Sequence, residues 1–259
     1  LTYYMKRFET RNDLKSFLDE MYLKYNNSDF INSDPIQIPY HFKRKEDIEI
    51  SAFLTSIISW GNRKMIINNA NKIIDIMSNN PYDYVMNSTE NNMKSISFVH
   101  RTFNSDDFKF FIMSLKNIYI NHGGLEKIFK PIKDDNWMFD SIKRFRNIFF
   151  SIPYQKRTLK HISDPQKRSS CKRINMFLRW MVRDDNVDFG LWRKFPKSIL
   201  SCPLDTHSLR IALKLGLIER KQNDIKTLME LDKRLRFLDP LDPVRYDFAL
   251  FGLGVEKEF

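Results

Sequence analysis

The feature that most constrains this chain is the recurrence of apolar residues at helical spacing in a sequence poor in glycine. Only 7 of its 259 residues are glycine, too few for the many tight turns of a sheet-rich fold. Leu14, Phe17, Leu18, Met21 and Tyr22 recur with helical period within residues 10–26, as do Ile48, Ala52, Phe53, Ile57 and Ile58 within 45–59. Such spacing predicts helices with one buried face. It extends to helices over 64–77, 81–86, 90–95, 106–120, 124–130, 137–151, 171–183, 205–216, 224–238 and 243–252, with a short one near 191–195. Residues 27–45 hold Pro35 and Pro39 among Asn and Ser and read as a linker. The fold class expected is all-α.

Hydrophobic residues make up 42% of the chain, which supplies a sizeable core and excludes disorder as the whole answer. Lys and Arg number 43 against 32 Asp and Glu, a net charge of +11. With a pI near 9.5 the chain suits a polyanionic partner. Two cysteines, Cys171 and Cys202, point to a reduced compartment, hence a cytoplasmic protein. Two thiols are too few for a usual iron–sulfur cluster, and the five histidines lack zinc spacing, so no metal or cofactor is expected. No apolar run reaches the roughly 18–20 residues a membrane helix needs, and the N-terminus lacks a signal-peptide pattern. No membrane partner is expected.

Two segments carry candidate chemistry. In the first, Ser169 to Arg183, a stripe of Ile174, Phe177, Leu178, Met181 and Val182 faces the core. Lys172, Met176, Arg179 and Arg183 share another, mostly basic face, with Lys172 opening the helix. In the second, Asp205 stands just before a periodic run, an N-cap position. Taken singly, each has a plain structural reading: a solvated lysine and a helix cap.

Together they resemble something more specific. Pro203-Leu204-Asp205-Thr206-His207-Ser208-Leu209-Arg210-Ile211, followed by Lys214-Leu215-Gly216-Leu217, is similar to the Val-Asp-Thr-His segment of the helix-hairpin-helix DNA glycosylase superfamily. In that superfamily the Asp is catalytic, and bifunctional members place a Lys upstream, where Lys172 stands. The two lie 33 positions apart, longer than in endonuclease III-like members and closer to the archaeal 8-oxoguanine glycosylase branch. Cys171 to Arg183 and Asp242 to Gly254 also resemble an uncharacterised bacterial family related to that superfamily. The resemblance implies two helical subdomains with a central cleft, in a helix-hairpin-helix glycosylase-like fold. The expected divisions are an N-terminal helix and linker (1–45), a helical subdomain (46–150) and a hairpin-like, catalytic-Asp subdomain (151–259).

The chemistry explains the residue types. Breaking an N-glycosidic bond builds positive charge on the sugar, which a fixed carboxylate, Asp205, stabilises. An amine, Lys172, attacks C1′, and the resulting Schiff base permits β-elimination. The implied activity is a DNA glycosylase and AP lyase for an oxidised purine such as 8-oxoguanine. Its partner would be double-stranded DNA with a flipped base, bound by a monomer.

Superfamily hairpins commonly grip a phosphate with a glycine-rich turn. Here the matching stretch is Asp164-Pro165-Gln166-Lys167-Arg168-Ser169-Ser170. Lys167, Arg168, Ser169 and Ser170 are expected to hold phosphates through side chains, with Arg173 and His207 near them. The knot Ser59-Trp60-Gly61-Asn62-Arg63 stands where the superfamily carries its base-displacing loop. Trp60 or Asn62 would fill the gap left by a flipped nucleotide, and Arg63 would take a phosphate. Phe177 and Trp180 are candidates to line a base pocket. The alternatives are a non-catalytic DNA-binding module on the same scaffold and an RNA-directed protein.

Overall fold

Helices start where the sequence supplies caps. The computed structural model describes residue 8, residues 10–132 and residues 138–256. Thr10 and Asp13 form a reciprocal capping box at the start of α1 (Arg11–Tyr25), and the short α2 (Ser28–Ser33) follows. After two proline-led 3-10 turns comes α3 (Lys45–Ile58), then α4 (Arg63–Ile76), capped by the Asn62 side chain. Proline opens α5 (Pro81–Asn87). A minimal antiparallel pair, β1 (Val99–His100) and β2 (Phe103–Asn104), sets His100 opposite Phe103. Asn104 and Asp107 then box the start of α6 (Ser105–Asn121), and α7 (Leu125–Phe129) and α8 (Met138–Phe149) follow. The last four are α9 (Lys172–Val182), α10 (Thr206–Lys214), α11 (Ile225–Leu238) and α12 (Tyr246–Val255).

The described residues are thus mostly helical, as the apolar period requires. Position 137 of the helix expected over 137–151 lies outside them. Two expected helices do not form. At 90–95 the backbone turns instead, because Thr89 and Asn92 bond each other's backbone N–H groups. At 191–195 the chain runs back along the end of α9. The N–H groups of Phe189 and Trp192 donate to the carbonyls of Trp180 and Met181. Among the described residues no helix is long and apolar enough to cross a membrane.

The chain divides into two units. The first combines residues 1–30 with 165–259, and the second is 31–164. These boundaries differ from the 45/46 and 150/151 divisions expected, because α1 packs with the C-terminal helices across a long gap in sequence. The second unit is built on phenylalanine. Phe53, Phe111, Phe145 and Phe149 are fully buried, with ring centroids 4.8–6.1 Å apart. Each such pair adds about 0.5–1.5 kcal/mol beyond the area buried.

In the first unit α12 is the axis, packed against α1 and α10. Two glycines permit the approach. A Cβ on Gly252 would lie 2.3 Å from the Tyr25 ring, and one on Gly254 would lie 2.7 Å from His207 Cβ. Phe248 receives the edges of Tyr22 and Phe30. Gly252→Ala is therefore expected to destabilise the protein by about 1–3 kcal/mol through overpacking, although alanine is the better helix former by about 1 kcal/mol. Urea denaturation measures it, and stability left equal or raised contradicts the close packing of α12 on α1.

Candidate functional site

Lys172 is the first residue of α9, after a segment that is not regular helix. That segment consists of the 3-10 turns Lys156–His161 and Pro165–Lys167. The turn before α9 contains no glycine, yet Arg168 and Cys171 adopt left-handed backbone, with φ of +64° and +51°. Non-glycine residues pay roughly 1–2 kcal/mol for that conformation. Two positions of this turn thus hold a backbone conformation that glycine adopts without strain. Ile225 N–H donates to the Arg168 carbonyl at 3.0 Å, fastening the turn to the start of α11.

Within this turn Lys167 and Arg168 are exposed. Of the two serines expected to hold phosphate, Ser170 is committed inside the fold, and Ser169, partly buried, accepts one backbone N–H. Ser169 Oγ accepts the Cys171 N–H at 3.1 Å, and the buried Ser170 donates its hydroxyl to Asn223 Oδ1 at 3.1 Å. Arg173 is partly buried. Burial lowers its guanidinium pKa to about 10, against the opposing influence of Cys171. Phe177 and Trp180 are fully buried in the core, Phe177 against the Trp192 ring. Neither lines an open pocket, which corrects the base-pocket expectation.

Asp205 caps α10, as its position before a periodic run requires. Its Oδ1 accepts the backbone N–H groups of His207 and Ser208, each at 2.8 Å. Its Oδ2 has no hydrogen bond among the described residues, and neither does the Lys172 amine. His207 Nδ1 is held by the Gly254 carbonyl at 3.1 Å, and its ring stands edge-on to Phe251.

Two connections join α9 and the turn before it to the cap of α10. Asn223, which bonds Ser170, also donates from Nδ2 to the Leu204 carbonyl at 3.4 Å. It thus links the residue two before Lys172 with the residue before Asp205. The second runs through a buried carboxylate. Lys172 and Arg179 lie two turns apart on one face of α9. Arg179 donates to Asp247 Oδ2 at 2.6 Å, and Asp247 Oδ1 accepts from Ser208 Oγ at 3.2 Å and Cys202 Sγ at 3.4 Å. Burial raises the Asp247 carboxyl; Arg179 opposes this, and the charge of Asp205 raises it further.

The basic face read from the sequence is therefore largely internal, because Arg179 and Arg183 are buried in ion pairs. Asn223 and Asp247 escaped the sequence reading. Asn223 sits in an unremarkable polar turn, and Asp247 reads as a first-turn acid of α12.

The knot belongs to the other unit. Trp60 is partly buried, edge-on to His100 at 4.7 Å and tilted over His161 at 6.2 Å, and its carbonyl takes the His100 Nε2 proton at 3.3 Å. Beneath it, the fully buried Asp107 accepts from Arg157, Thr158 and His161. Burial pushes the Asp107 carboxyl up, but the Asn104 N–H and these three donors outweigh it and leave it below the usual range. Trp60 is thus a packed ring. Asn62 is exposed but spends its Oδ1 capping α4 at 3.2 Å, and Arg63 begins that helix.

Asn223→Ala is expected to lower stability by about 1 kcal/mol by cutting the link between the α9 turn and Leu204. Ser170→Ala on that background should add little, since both remove one shared bond. Full additivity in a double-mutant cycle by urea denaturation would dismiss the link.

No curated protein and no solved structure matches the chain. The model of a family described as "Protein of unknown function (DUF2400)" matches residues 34–256. That span is most of the chain, and the protein belongs to this family.

Proposed function

We propose that the protein is a bifunctional DNA glycosylase and AP lyase, helix-hairpin-helix glycosylase-like in fold, with Lys172 as nucleophile and Asp205 as the stabilising carboxylate. It acts as a monomer on double-stranded DNA carrying a flipped, damaged base, an oxidised purine such as 8-oxoguanine. The observation that carries this reading is the path from α9 through Arg179, Asp247 and Ser208 to the Asp205 cap. It ties the Arg179 side of α9 to α12 and, through Ser208, to the cap of α10, and Lys172 stands two turns earlier on that side.

The roles follow from the atoms left unengaged. Asp205 Oδ2 faces the charge that grows on the deoxyribose as the C1′–N bond breaks. The Lys172 amine forms a bond to C1′ through its nitrogen lone pair and sheds a proton, and the base leaves with the bonding electrons and takes up a proton. Ring opening gives an imine, and loss of a C2′ proton expels the 3′ phosphate. Lys167 and Arg168, exposed beside the nucleophile, hold backbone phosphate.

Borohydride should trap a covalent adduct between the wild-type protein and DNA carrying an abasic site or 8-oxoguanine, and Lys172→Ala should abolish it. Asp205→Asn should slow base release by about a hundredfold or more. Absence of an adduct across a lesion panel contradicts the proposal. The exposed Lys167 and Arg168 also favour a second reading, a non-catalytic DNA-binding module. Its signature is salt-sensitive DNA binding that survives Lys172→Ala, with no adduct from either protein.

A further inference from the structure

The first unit contains a cleft of about 380 Å³ that takes no part in the proposed chemistry. Its walls are the start of α1, the end of α10 with the turn after it, and the last turn of α11. Its size falls at the low end of the roughly 300–1,000 Å³ of small-molecule sites.

The lining is chemically divided. Arg11, Lys214 and Arg234 supply three positive charges, and among the described residues no carboxylate lines the cleft. None of the three is paired with a carboxylate among the described residues. Between them lies an apolar floor that includes Leu215 and Leu217, both largely buried. The turn at Gly216 leaves the backbone bare, because a Cβ there would meet nothing within 4 Å.

Arg11 is already positioned. Its guanidinium lies 3.8 Å from the centre of the Phe237 ring and donates one N–H to the Phe237 carbonyl. A planar guanidinium has five N–H donors, so most remain for a ligand. A fork fixed in this way loses less freedom on binding a phosphate than a mobile one. Three like charges over an apolar floor suit a ligand with an anionic head and a flat apolar body.

We propose that this cleft is a binding site for a small aryl or heteroaryl phosphate of mononucleotide size. Arg11, Lys214 and Arg234 hold the phosphate, and the leucine floor takes the ring. The site is independent of Lys172 and Asp205, so its success or failure leaves the glycosylase reading untouched.

Titration calorimetry with adenosine 5′-monophosphate tests it, with adenosine and inorganic phosphate as the two halves of the ligand. The nucleotide should bind at least about tenfold more tightly than either half, since head and body are both engaged. Arg11→Ala and Lys214→Ala together should weaken it by about tenfold or more. Arg11 is exposed and Lys214 half-buried, and circular dichroism checks that the double variant is folded. Lys172→Ala should bind as wild type. No binding up to about 10 mM, the top of the weak small-ligand range, overturns the proposal. So does equal affinity in the double variant, or inorganic phosphate binding as tightly as the nucleotide.

Discussion

The first unit depends on two buried arginines, Arg179 in the last turn of α9 and Arg183 just after it. Arg179 pairs with Asp188 and Asp247, and Arg183 with Asp185, Asp188 and Asp242. Burial pushes the Asp188 carboxyl up to about 7, even though both guanidiniums pull it down. Desolvation on that scale makes such a network a poor source of net stability, while deleting one member costs about 3–5 kcal/mol. What the network fixes is orientation. It sets the rotation of α9, ties it to the loop after it, and docks it on the acids at the start of α12. The direction taken by Lys172 follows from that rotation.

Much of the fold was legible because helices leave a periodic trace and their starts are chemically marked. Asp205, Asn62 and Asp224 cap helices as short polar residues ahead of apolar runs should. Legibility fails where local polar groups compete with the helix, as Thr89 and Asn92 do. It fails again where distant carbonyls capture a short segment, as at Phe189 and Trp192. The β1–β2 pair is two residues to a strand, too short for alternation to register.

At the site, types were legible and commitments were not. Lys172 opens one helix and Asp205 caps another, as the local apolar periods require. Ser170, Phe177 and Trp180 face inward, and a period cannot say whether a face meets a ligand or another helix. The turn before α9 is the clearest case. Glycine was its missing signal, yet Arg168 and Cys171 hold left-handed backbone without it, because Ile225 and Ser169 bond the chain on either side. A conformation held by neighbours leaves no trace in the identity of the residue that adopts it.

The close seating of α1 on α12 has a consequence for how the molecule is made. The two helices are separated in sequence by the whole of the second unit. A ribosome adding roughly 5–20 residues per second releases α1 on the order of ten to forty seconds before the helix that accepts its apolar face. Every phenylalanine of the second unit's core has been synthesised by then. Domains generally fold as units, so the inserted unit can form while the first still lacks α12. For that interval Tyr22 lacks the Phe248 ring and Tyr25 lacks the bare Gly252 backbone against which they pack.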